Sequence, residues 1–301
     1  MFNLRGTAQD MVSEITQQLY SDTPSETIYH YTSFSGLLGI VASGSLWASD
    51  IRYMNDSAEL NHMVTLIREE VNERITLGHP NPKLLNQFED WIARRVTNGH
   101  MLFAGSFRAN GNLLSQWRGY SELGKGVSIG FDPKQILACA RKQSFMVGKC
   151  IYDRKRQRAL IHQIVDFVED LAALSCGAHG CRDDLVFAEV FEQVESDLLR
   201  IAAVLKHPSF QEEEEWRIVS PVITDFKDPS VHYREGTSML VPFFEFSLVA
   251  PSEEKLQIQH IFLGPTPNIN LSMNSLSMYL AKEGVAPKRG IGYCQIPYRQ
   301  R

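Results

Sequence analysis

Apolar residues fall into helical and alternating patterns that divide the chain into blocks. Ala8, Met11, Val12, Ile15 and Leu19 recur at helical spacing and predict an opening helix that stops in the turn-forming run Ser21-Asp22-Thr23-Pro24-Ser25. Thr27 to Tyr31 reads as a short strand, Ser33 to Ser43 as a helix closed by Gly44, and Leu46-Trp47-Ala48 as a second strand before a loop over 50–57. Two helical stripes follow, one on Leu60, Met63, Val64, Ile67 and Val71, the other on Leu84, Leu85, Phe88, Trp91, Ile92 and Val96. Strands are expected over 101–107, 126–131 and 145–152, with a helix from about Pro133 between the last two. Two long helical patterns then run through Leu160 to Leu171 and Val190 to Leu205. The remainder reads as strands over 216–222, 239–249, 259–263 and 290–296, with one helix over 271–282.

Helices and strands thus alternate without a repeat, and no strand leads into a G-x-G-x-x-G loop, which argues against a doubly wound dinucleotide fold. An α+β domain spanning 1–301, with helical insertions near 57–98 and 154–206, fits the pattern better. Composition adds exclusions. With 44% hydrophobic and 22% charged residues, the 301-residue chain is ordinary globular protein, able to bury a core without staples. A net charge of −5 argues against a non-specific polyphosphate binder, although a local basic groove stays possible. No apolar run approaches the ~20 residues of a membrane span, and five cysteines show no disulfide framework. A reduced, cytoplasmic protein without a membrane partner is expected.

Three segments could carry chemistry. In Ile28-Tyr29-His30-Tyr31-Thr32 the histidine is either a packed strand residue or a ligand-facing imidazole, with Thr32 capping the next helix or bonding the same ligand. From Ser106 through Ser115-Gln116-Trp117-Arg118-Gly119-Tyr120, polar residues alternate with large aromatics between two strands. Such a mixture either walls a flat ligand or is a loop whose rings plug the core. Finally, Glu212-Glu213-Glu214-Glu215 precedes Trp216-Arg217-Ile218. Four carboxylates in a row usually form a solvated run. Running straight into a strand, they would instead set Glu213, Glu215 and Arg217 on one face, with Arg217 offsetting the repulsion between the two acids.

Together, Tyr29-His30-Tyr31-Thr32, Gly44-Ser45-Leu46-Trp47-Ala48, Asn55-Asp56-Ser57-Ala58-Glu59, Ser115 to Tyr120 and Glu213 to Arg217 resemble the bacterial DUF2971 family over about Tyr29 to Gly264. The order of a histidine strand, a serine-bearing middle segment and a late Glu-x-Glu also resembles the ADP-ribosyltransferase superfamily. That resemblance implies a split β-sandwich core holding NAD, as co-substrate, in a bent pose. It implies that His30 bonds the adenosine ribose and that Tyr31, Trp117 or Tyr120 stacks on the nicotinamide ring. Glu215 would bond the 2′-hydroxyl of the nicotinamide ribose, and Glu213 would orient or deprotonate an acceptor. Ser106 falls where the superfamily places a serine, although its Ser-Thr-Ser is absent. The implied activity is ADP-ribosyl transfer to an unidentified protein, nucleic acid or small molecule, in a toxin or defence effector. Hydrolysis of NAD, or nucleotide or peptide binding without catalysis, are the alternatives.

Within Asp50 to Asp56, Asn55 and Asp56 either bond their own backbone in a turn, or Arg52 and Asn55 reach a diphosphate or ribose. Cys176, His179 and Cys181 lie close in sequence but fall short of a four-ligand structural zinc set, so no metal is expected. Lys206-His207-Pro208 reads as a helix end, and the basic residues from Arg154 to Arg158 as a solvated helix start.

Overall fold

The computed structural model describes residues 4–54, 58–120, 126–176 and 184–295. Its elements are α1 (Leu4–Leu19), β1 (Ile28–Thr32), α2 (Phe34–Ser43), β2 (Ser45–Asp50), α3 (Ala58–Thr76), α4 (Pro82–Asn98) and β3 (Phe103–Arg108). Next come α5 (Leu114–Tyr120), β4 (Val127–Phe131), α6 (Pro133–Lys142), β5 (Met146–Lys149), α7 (Arg154–Cys176), α8 (Asp184–Ala202) and β6 (Glu215–Val219). The chain continues with β7 (Val231–Glu235), β8 (Leu240–Ser247), β9 (His260–Leu263), α9 (Ile269–Lys282) and β10 (Ile291–Tyr293).

Helix boundaries follow local chemistry. Ser33 caps α2 by accepting from the Gly36 amide, and Gly44 closes it at φ 65, a left-handed turn that a side chain resists. Asn81 caps α4 and Asp132 caps α6, each followed by a proline whose missing N–H costs nothing in the first turn.

The architecture is mixed α+β around one large sheet. Its strands run β10-β9-β4-β1-β3-β2-β8-β7, with β6 joining both β3 and β5. All pairings are antiparallel except β9 with β10, which α9 connects as a crossover. Strand β3 is the hub. One of its edges pairs with β6 from Ala104 to Arg108. Ala104 also pairs with Ser49 of β2, and Arg108 with Tyr29 of β1. A residue has only two lateral edges, so β1 and β2 both leave the second edge of β3, at opposite ends. The sheet forks there.

Two apolar cores flank this hub. The helical stretches expected as insertions, α3 with α4 and α7 with α8, pack on each other and with α1. Their core includes Phe88, Phe191, Leu198 and Val165, and it reaches the sheet at Ala104 and Val219. The second core lies between the wings of the fork, joining Ile129 and Phe131 to Leu46 and Phe246 with α6 and α9 against them. Among the described residues no helix is long and apolar enough to cross a membrane.

Four expectations change. The segment 114–120 is a short helix rather than a loop, because Gln116 and Trp117 turn inward. Ser33, not Thr32, caps α2. Glu212 and Glu213 close a 3-10 turn over Pro208–Glu213, so the strand begins only at Glu215. Strand β7 was not expected, since on a sheet edge Val-His-Tyr-Arg-Glu stays largely exposed and shows no apolar alternation.

Candidate functional site

Two polar assemblies lie on either side of β3. The first is a cavity of about 810 Å³ in the fork, lined by β1 (His30, Tyr31, Thr32), the start of α2, β2 (Ser45, Leu46, Trp47, Ser49), β3 (Ala104 to Ser106) and the end of β7 (Arg234, Glu235). That volume suits a small-molecule or nucleotide ligand. It lies where β1 and β2 diverge, with α2, Tyr53, Met54 and Gly119 also on its wall.

His30 stands at the divergence. Its Nδ1 lies 3.0 Å from the Ser106 carbonyl, and a carbonyl only accepts, so Nδ1 carries the proton and Nε2 is left as an acceptor. Burial pushes the imidazole down to about 4, against the raising effect of that hydrogen bond, so it is neutral near pH 7. The Ser106 hydroxyl is buried without a partner among the described residues. That hydroxyl is inaccessible, on the strand face it shares with Arg108 rather than the face of His30. Thr32 lies over the first turn of α2, where a Cβ on Gly36 would come within 2.0 Å of the Thr32 hydroxyl. Trp47 stacks on Phe243 at 4.4 Å between ring centres, yet remains 49% exposed.

The second assembly is ionic and closed. Register places Ser106 opposite Arg217 and Arg108 opposite Glu215, so these four share one face of the sheet. Glu215 is fully buried. Its carboxylate accepts from Arg217 Nε at 2.8 Å and Lys206 Nζ at 2.6 Å, and pairs with Arg108 at 3.1 Å. Glu213 reaches the same cluster from its turn, at 2.6 Å from Lys206 and 2.8 Å from Arg108. Glu214, at φ 40, supplies the left-handed kink that brings both acids together. Burial alone would raise the Glu215 carboxyl, but Arg217, Arg108 and Lys206 together hold it well below the ordinary carboxylate range. Tyr152 accepts a hydrogen bond from the Glu215 amide, and burial raises its phenol.

The predicted residues therefore divide. His30, Tyr31, Thr32 and Ser106 line the cavity. Glu213 and Glu215 do not. They lie one strand away, on the face opposite His30, which leans instead on Phe107. Tyr31 is less available than a stacking ring should be, because its hydroxyl donates to the Asn110 carbonyl and accepts from the Leu113 amide while its ring abuts Trp117. Trp117 plugs the core beneath α5, donating to Asn112. Arg52 is forked onto Asp50 at 2.9 and 2.6 Å and donates to the Gly99 carbonyl, so it turns away from the cavity. Asn55, His179, Cys181 and the Tyr120 side chain fall outside the described residues.

Sequence reasoning missed Arg108, Lys206, Trp47 and Arg234. Lys206 read as a helix end, and only tertiary packing brings it onto the glutamates. Trp47 stood in a quoted motif, and its exposure had no sequence signal.

Residues 116–218 match the family model described as Protein of unknown function (DUF2971). The match covers about a third of the chain. The matched segment runs from α5 to β6 and contains Lys206, Glu213, Glu215 and Arg217, so it holds most of the ionic cluster. It is narrower than the span of the resemblance above: His30, Trp47, Arg108 and nearly all of the cavity wall lie outside it. No curated protein and no solved structure matches the chain.

Proposed function

We propose that the protein is an NAD-dependent ADP-ribosyltransferase whose NAD site is the cavity in the fork of the sheet. The observation that carries this reading is the divergence of β1 and β2 from one edge of β3, with a neutral imidazole at the bottom. A split-sandwich transferase requires such a crevice between two wings of strands, and the second apolar core lies between two such wings here. His30, proton-locked on Nδ1 by the Ser106 carbonyl, offers Nε2 to a ribose hydroxyl. In the reaction the bond between C1′ of the ribose and the nicotinamide nitrogen breaks. Nicotinamide leaves with the electron pair, and an acceptor nucleophile closes on the oxocarbenium-like sugar. Glu215 is the carboxylate assigned to that developing charge, and it is ionised at any working pH. It lies outside the cavity on the face opposite His30, so to act it must both reach the ribose there and give up at least one of its three cationic partners.

That requirement favours a second reading, a nucleotide-binding module that does not turn over. Two carboxylates set against three cations offer little net negative field to a cationic sugar. Incubation with NAD, candidate acceptors and whole-cell lysate, followed by assay of free nicotinamide, separates the two. Transfer predicts nicotinamide release that falls in His30→Ala and stops in Glu215→Gln, normalised to folded protein. Release that survives in folded Glu215→Gln removes Glu215 from the chemistry. Nucleotide binding without release under any condition establishes the binding module instead.

A further inference from the structure

We infer that Arg234 is the phosphate-recognising residue of the cavity and that its ligand presents a nucleoside diphosphate group; the nucleotide part of this rests on the reading above. Arg234 is the one Lys or Arg among the described residues that line the cavity. Arg52, the alternative suggested by its place in the chain, is consumed by Asp50. Arg234 has no such partner: its Nη2 donates to the Ser49 hydroxyl at 3.2 Å, and no carboxylate lies within ion-pair distance among the described residues. An arginine held by a neutral hydroxyl rather than an acid keeps its charge and most of its donor fork for an incoming anion.

Its placement is specific. Arg234 sits on β7 opposite Val241, one strand out from β8, and reaches over β8 to Ser49 on β2. Trp47 lies two residues from Ser49 on the same face, about 7 Å along the strand at ordinary rise. A guanidinium and a half-exposed indole across that span match the phosphate and ring ends of one nucleotide.

Binding of inorganic pyrophosphate, ADP and adenosine to the wild type, Arg234→Gln and Arg234→Lys tests the assignment by calorimetry. ADP should bind the wild type more tightly than adenosine. Arg234→Gln should weaken pyrophosphate and ADP by about 10- to 100-fold while leaving adenosine unchanged, with Arg234→Lys between. Equal binding of ADP and adenosine by the wild type overturns the inference. So does an Arg234→Gln variant that holds pyrophosphate and ADP as the wild type does, or a wild type that binds none of the three. Pyrophosphate binding that is lost in Arg234→Gln, with adenosine silent throughout, upholds Arg234 as an anion site and sinks the nucleotide reading alone.

Discussion

The fork cavity and the ionic cluster share strand β3, yet they treat polar groups in opposite ways. On the cluster side every carboxylate oxygen of Glu215 is matched by an internal cation, and water is excluded. On the cavity side His30 keeps an unmatched nitrogen and Arg234 a charge without a counter-ion. The difference teaches where to look for function. Groups satisfied internally hold the chain together, and groups left unsatisfied around a void are the ones a ligand can complete. On that criterion Glu215, the residue whose chemistry looked most catalytic in the sequence, is first of all a structural anchor.

The sharpest way to break this comparison is at Glu215. Glu215→Gln should lower unfolding stability by about 3–5 kcal/mol in urea titration, since it leaves buried cations without their counter-charge. Adding Lys206→Met should recover part of that loss, as expected for residues in direct contact. Additive losses would show that the pair is not coupled and that the cluster is not an anchor.

The pH dependence distinguishes the two regions next. Both folded groups bind protons less readily than their unfolded counterparts, so both lose stability as pH falls. For His30 the loss begins near the ordinary 6.5 and ends near 4, as the unfolded chain takes up a proton that the folded one refuses. For Glu215 it begins only below the ordinary 4.5 and continues as pH falls toward the depressed folded value. Urea midpoints measured across pH should therefore show two windows, and His30→Gln should shrink the upper one, to which His62 and His260, also held down by burial, contribute, while leaving the lower one.

Smaller effects sharpen the cavity side. Gly36→Ala forces a methyl group into the Thr32 hydroxyl and should cost about 1–3 kcal/mol, eased by Thr32→Ala in the same chain. Ser33→Ala removes the α2 cap and should cost about 1 kcal/mol in thermal unfolding, while nucleotide binding changes little. A large loss of binding in Ser33→Ala would move that hydroxyl from the scaffold to the ligand.

What the amino-acid sequence determined by itself is local. Helical stripes such as Leu60 to Val71 and Leu84 to Val96 and the Gly44 stop depend on neighbours within a turn or two, so the pattern alone places them. It also placed Glu215 and Arg217 on one face, because strand alternation is a local rule. The Glu213 position followed a different route, through a turn whose left-handed Glu214 no periodicity announces. Only the tertiary structure decided that β1 and β2 leave the same edge of β3, that Lys206 and Arg108 close over the glutamates, and that Arg234 on an edge strand reaches Ser49. Apart from the Lys206 contacts, which span 7 and 9 positions across a turn, those facts rest on pairings between residues about 50 to 190 positions apart, and no local pattern encodes which distant partner completes each hydrogen bond and charge.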